Sequence, residues 1–153
     1  MNFTPKMEMK TREQEKRKYE PVTRYMATDL ITFSPEDEIG FVIDKLMKNK
    51  ISGAPVLNDK DELVGLISEQ DCLRVIIDSV YYNQPISKHR VKDYMTTHIK
   101  SVSVTEDVVD VANKFLSNRF RRFPVVDEKG RLLGQVSKRD ILKAAQSMNI
   151  TTW

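Results

Sequence analysis

The chain has 153 residues, 40% of them hydrophobic and 31% charged, with a formal net charge of +3. That is apolar material for one ordinary domain, or for two small halves sharing a core, and too much for a chain disordered throughout. With no run of about 18 apolar residues and no basic-then-apolar layout in the opening MNFTPKMEMK, the sequence reads as cytoplasmic with no membrane partner. Cys72 is the one cysteine, which excludes an intrachain disulfide, a multi-cysteine zinc cage and a CxxC redox pair.

Residues 1–21 form a mixed lead-in, with six Lys/Arg against four Glu in the first 20 positions, and Pro21 ends it. Acids are interleaved with bases in REQEKRKYE, and no aromatic platform or recognition helix accompanies them, so nucleic acid is not the expected partner. LITF then reads as a strand. Ser34-Pro35-Glu36-Asp37 offers a cap, a proline for the first helical position and acids for the first turn, and Ile39, Val42, Ile43, Leu46 and Met47 recur at helical spacing. A helix is predicted over 35–49.

APVL and LVGLI, joined by NDKDE, predict a hairpin, and Ser68 opens a second helix with Asp71 in its first turn and Cys72 as a small core residue. Residues 81–90 link to a second series of elements. IKSV reads as a strand, Ser103 caps a helix bearing Val108, Val111, Ala112, Phe115 and Leu116, and FPVV and LLGQV form a hairpin around DEKGR. Gly130 suits a turn position needing positive φ. Ser137 and Asp140 open the last helix, and residues 148–153 are a tail.

The second series copies the first. Residues 22–76 align with 91–145 at an offset of 69 without a gap, with 16 identities in 55 positions, so the organisation is a duplicated strand-helix-strand-strand-helix unit over 22–80 and 91–147. Each unit must leave an apolar face for the other.

The tandem copy, with YMATDLITFSPED, ISGAPVLNDKDELVGLISEQDCL and RRFPVVDEKGRLLGQVSKRDIL, resembles a pair of CBS domains, named after cystathionine β-synthase. The resemblance implies an α+β fold in which two β-α-β-β-α CBS repeats pack about a pseudo-twofold axis, sheet against sheet, with two clefts between them. It implies adenosine-containing ligands (AMP, ADP or ATP, less often S-adenosylmethionine or NAD(H)) and association as a homodimer through the helices. In the family, the serine of each GxxSxxD frame meets phosphate and the aspartate holds a ribose, roles that fall on Ser68 with Asp71 and on Ser137 with Asp140. A serine at a helix start suits a phosphate. Ser-x-x-Asp before an apolar run equally fits a capping box. The glycine three residues before each serine, Gly65 and Gly134, suggests close backbone approach to a ligand.

The copies diverge where a phosphate would be felt. Ser52-Gly53-Ala54 in the first becomes Arg121-Arg122-Phe123 in the second, and Glu69-Gln70 becomes Lys138-Arg139. By the family pattern Asp71 would hold a ribose while Arg122, with Arg121, Lys138 or Arg139, reaches its phosphates across the pseudo-twofold; arginine's planar fork suits that task. The alternative is that NRFRRF is a charged strand edge that resists edge pairing. Ile51, Gly53, Ala54, Phe120 and Phe123 could sandwich an adenine and Thr28 or Thr97 lie near it, with packing as the competing role of each. The Asp140 cleft, less basic, is expected to be empty, to bind a less charged adenosine ligand, or to bind more weakly.

His89 and His98 have no metal-ligand spacing around them, and no nucleophile elbow or Walker loop is present, so no enzyme and no required cofactor are expected. The expected function is a stand-alone regulatory module that binds an adenine nucleotide and acts on an unidentified protein partner. A ligand-free dimerisation scaffold is the alternative, and a nucleic-acid-associated regulator comes behind it.

Overall fold

The computed structural model of the chain describes residues 19–148. The remainder of the lead-in and most of the short tail lie outside the described residues.

Each half has the same frame. In the first, α1 (Ile39–Asn49) precedes the hairpin β1 (Gly53–Leu57) and β2 (Leu63–Ser68), and α2 (Glu69–Tyr81) follows. A short α3 (Val91–Tyr94) leads into the second half: β3 (Val102–Ser103), α4 (Val108–Ser117), β4 (Arg122–Val126), β5 (Leu132–Ser137) and α5 (Lys138–Ser147). Both hairpins are antiparallel and carry a register shift at the same place, Val56/Leu57 and Val125/Val126. Gly130 turns with φ of 79°, and its counterpart Asp61 takes φ of 61°, a region aspartate tolerates better than most side chains. The α+β architecture is as expected.

Two expected boundaries are corrected. The helices predicted from residue 35 and from Ser103 start four residues or more later, at Ile39 and Val108. Ser34 and Ser103 close turns of their own instead: the Ser34 N–H donates to Asp37 Oδ2 at 2.8 Å and the Ser103 N–H to Glu106 Oε2 at 2.7 Å. A side chain that satisfies a nearby backbone group stabilises a turn in place of a helix start. Asp107 is the cap of α4, accepting from Val109 and Asp110. The predicted strand LITF shrinks to one parallel bridge, Phe33 to Val56, and IKSV to the two residues of β3 beside β4.

The halves exchange their leading segments. Val22, fully buried, packs in the second half's core with Val102, Phe115 and Val136, while Val91, equally buried, packs in the first half's core with Phe33, Ile39 and Val75. The backbone repeats the exchange: the Ala27 and Gln135 amides donate to each other's carbonyls at 2.8 and 2.9 Å, and Leu66 and Thr96 do the same at 2.9 Å. Burying one valine stabilises by about 1.5–3 kcal/mol, so each leading segment is anchored in the opposite half by its own apolar contact. The tips of the two hairpins also join, through Leu63 N–H to the Gly130 carbonyl and Leu132 N–H to the Asp61 carbonyl, at 2.9 and 3.0 Å.

This exchange explains the repeated glycine differently from the expected ligand approach. A Cβ on Gly65 would stand 2.5 Å from the Met95 sulfur, and one on Gly134 would stand 2.6 Å from the Met26 sulfur and 2.7 Å from the Ala27 carbonyl oxygen. The absent side chain makes room for the methionine of the exchanged segment.

The tyrosine beside each of those methionines locks the exchange. Tyr94 donates to Asp78 Oδ2 on α2 at 2.6 Å and faces His89 Nδ1 at 3.3 Å; Tyr25, its counterpart, meets Ser147 Oγ on α5 at 2.6 Å. Burial and the Asp78 bond push the Tyr94 phenol up to about 12 from its ordinary 10. A raised folded-state value means the bond's contribution is fully present below pH 10 and is lost as pH rises through 12. Tyrosinate absorbance should therefore show one late-titrating phenol that disappears in Tyr94→Phe; titration of every tyrosine near pH 10 would contradict this.

Candidate functional site

The two GxxSxxD frames place Ser68 and Ser137 at the N-caps of α2 and α5, each in extended backbone. Both realise a complete capping box. Ser68 donates through its backbone N–H and its hydroxyl to Asp71 Oδ2, each at 2.9 Å, while the hydroxyl accepts from the Asp71 N–H at 3.3 Å. Ser137 and Asp140 repeat the set at 2.8, 2.9 and 3.2 Å. Such a box satisfies donors that the first helical turn would leave orphaned.

The two boxes differ in access. Asp71 is 3% exposed, and its second oxygen, Oδ1, is approached by the Arg74 guanidinium at 3.3 Å. Asp140 is half-buried, and Lys143 stands where the first half has Arg74. The hydroxyls have both of their box partners in place, so a ligand meeting either frame competes with capping bonds already made.

Between the halves, at the end of the hairpins opposite the joined tips, lies a cleft of about 230 Å3. The first half contributes Ser52, Gly53 and Ala54 from the β1 end and Leu66, Ile67 and Ser68 from β2; the second contributes Arg121, Arg122 and Gln135. β1 pairs Gly53 with Ser68 and β4 pairs Arg122 with Ser137, which is why residues distant in sequence converge on one rim. Both arginines are exposed, and no ion pair is made by either among the described residues. The cleft thus joins two cations of one half to two serines, a glycine and apolar walls of the other.

Other candidates stand elsewhere. Lys138 and Arg139 are exposed at the start of α5 and do not line this cleft. Phe123 is 1% exposed and packs its ring on Phe115 at 4.7 Å and on Phe120 at 5.7 Å, so it belongs to the second core. Ile51 packs on the first core, and Ala54 is buried beneath the cleft's rim. Thr28 and Thr97 are exposed on the stretches that follow the exchanged segments. Gln135 also lines the cleft although no local motif marks it; its position opposite Leu66 in the repeat, a polar residue in an apolar frame, is the signal the sequence carries.

Burial pushes the Cys72 thiol up, with Asp71 and Glu69 adding to the shift, which suits an inert core residue. Among the described residues no cluster of three or more His, Cys, Asp or Glu could hold a metal, and no helix is long and apolar enough to cross a membrane.

The CBS domain model matches residues 22–78 and again 91–147. The chain is 35% identical over 124 residues to uncharacterized protein MJ1225 of Methanocaldococcus jannaschii, covering 81% of this chain and 42% of that one. It is 35% identical over 115 residues to inosine-5'-monophosphate dehydrogenase of the same organism, covering 75% of this chain and 21% of the enzyme. The chain therefore spans less than half the length of these relatives. Its fold is similar to that of CBSX2 from Arabidopsis thaliana solved in complex with AMP, with a TM-score of 0.71, 30% identity, and coverage of 83% of this chain and 96% of that one.

Proposed function

This chain belongs to the CBS domain family, and from that membership we propose that it is a non-enzymatic regulatory module that binds an adenine nucleotide in the cleft rimmed by Ser68, Gly53, Arg121 and Arg122. The observation that carries the reading is the convergence of two exposed arginines of one half, without an ion-pair partner among the described residues, on the capped serine of the other. The similar CBSX2 structure holds AMP. A phosphate placed between the Arg121 and Arg122 guanidinia would gain charge-assisted, forked hydrogen bonds. The ribose would turn to Asp71 Oδ1, for which Arg74 must swing aside; its side chain is 61% exposed and able to do so. The adenine would lie against the Ile51–Ala54 side, with Thr28 or Thr97 near it. Lys138 and Arg139 stand outside the cleft lining and are at most outer contacts.

Binding of this kind regulates by favouring one arrangement of the halves over another, to the extent of its differential affinity for the two. The joined hairpin tips and exchanged segments hold the halves at one end, so a ligand at the open end draws the β1–β2 and β4–β5 edges together. The module would report adenylate level, an energy-sensing role, to a protein partner, and it would act as a homodimer.

Isothermal calorimetry with AMP, ADP, ATP, NADH, S-adenosylmethionine and guanosine controls tests the proposal. An adenosine ligand should bind, and Asp71→Ala should weaken it more than Asp140→Ala, because the basic rim faces the Ser68 frame. Equal losses in the two variants would remove the assignment to this cleft. No binding by any of the compounds would favour the ligand-free scaffold.

A further inference from the structure

The two halves carry opposite charge. Residues 22–78 hold six Lys/Arg against eleven Asp/Glu, a net of −5, and residues 91–147 hold eleven Lys/Arg against seven Asp/Glu, a net of +4. The same contrast reaches the helix faces. An apolar groove of about 250 Å3 runs between α1 and α2, where Met47 and Leu73, 76% and 61% exposed, flank Cys72, and Glu69 supplies the one charged side chain of the lining. The offset of 69 carries Met47 onto Leu116, Leu73 onto Leu142 and Glu69 onto Lys138. Leu116 and Leu142 are 86% and 67% exposed. Each half thus presents the same apolar pair beside a charge, and the charge changes sign.

From this we infer that two copies of the chain pair head to tail, the α1–α2 face of each seated on the α4–α5 face of the other. The inference rests on the dimer reading above and adds its direction. A twofold dimer built this way makes each contact twice: Met47 and Leu73 meet Leu116 and Leu142 of the second copy, and Glu69 meets its Lys138. The opposite, head-to-head arrangement sets Glu69 against Glu69 and Lys138 against Lys138, acidic half on acidic half and basic on basic. Like-charge juxtaposition is what selects against a wrong partner orientation. The apolar pairs supply the attraction in either arrangement, and the charges decide between them.

Crosslinking resolves direction. In a Cys72→Ala background, whose melting is first shown to match the parent, the exposed counterparts Leu73→Cys and Leu142→Cys are made singly, and a short bis-maleimide is applied to each alone and to their mixture. Head-to-tail pairing gives a covalent dimer only in the mixture. Dimers from either variant alone overturn the direction while leaving the dimer reading intact. A chain that sediments as a monomer overturns both, and a sedimenting dimer that crosslinks in no combination overturns the proposed faces. In addition, Glu69→Lys should raise the dimer dissociation constant about tenfold, since two weak exposed ion pairs become repulsive, and Glu69→Lys with Lys138→Glu should restore it. An unchanged constant in Glu69→Lys would also overturn the inference.

Discussion

Replacing Gly134 by valine is expected to be the most damaging single change in the fold, costing about 3 kcal/mol or more. A Cβ alone would stand 2.6 Å from the Met26 sulfur and 2.7 Å from the Ala27 carbonyl oxygen, and the two γ-methyls of valine have nowhere to go. The methionine is flexible, but the carbonyl is not, because it accepts the Gln135 amide at 2.9 Å. Overpacking in a close-fitting core typically costs about 1–3 kcal/mol, and here it also lifts the segment carrying buried Val22, adding part of the 1.5–3 kcal/mol or so of its burial. In a chain of this length about 1 kcal/mol lowers the melting temperature by roughly 2–5 °C, so a fall of about 10 °C is expected in calorimetric melting. Gly65→Val should cost less, because the three atoms nearest its Cβ position all belong to the flexible Met95 side chain, with no backbone atom among them. Equal losses at the two positions would contradict the assignment of the difference to the Ala27 carbonyl.

The largest functional effect is expected from Arg121→Ala with Arg122→Ala. If the two guanidinia hold the phosphate of the proposed ligand, their loss should weaken AMP binding by roughly 10- to 100-fold. Hydrogen bonds to charged groups contribute about 1.5–3 kcal/mol each when sheltered. Both side chains are exposed here, so the lower end applies, at about 1.4 kcal/mol per factor of ten. Adenosine, which has no phosphate, is the control: its binding should be nearly unchanged. Arg122→Lys should fall between parent and double variant, since a lysine keeps the charge and loses the fork. Equal loss of AMP and adenosine would place the arginines in a structural role and leave the phosphate without an assigned partner.

How much of this was legible in the sequence depended on whether the information was local. The hairpins, the caps at Ser68 and Ser137 and the positive-φ turn at Gly130 are short-range features written in adjacent residues, and they appear where expected. The starts of α1 and α4 were misplaced because Ser34 and Ser103 suit a turn as well as a cap, and the choice was made by Asp37 and Glu106 bonding back to their backbones. The repeated glycine suggests an opening for a ligand because nothing in the local frame names Met26 and Met95 as its occupants. Phe123 could not be separated from a base-stacking role by its neighbours in sequence; it lies on β4, and the Phe115 ring that receives it lies on helix α4. Arg121 and Arg122 are legible in the sequence because the duplication supplies its own control, the same positions in the first copy holding Ser52 and Gly53.

The exchange of leading segments also has a consequence for the order in which the chain can mature on the ribosome. The first core draws on residues between Phe33 and Val91 and the adjoining Tyr94 and Met95, one unbroken stretch, so it can close once the chain through Met95 has cleared the exit tunnel. The second core needs Val22, made before every residue of the first core, together with Val136, made after all of them. The segment carrying Val22 therefore waits, its valine unburied, until the second repeat has been made. At roughly 5–20 residues per second, the 114 residues from Val22 to its core partner Val136 correspond to about 6–23 seconds in which that segment stays open to chaperones and proteases.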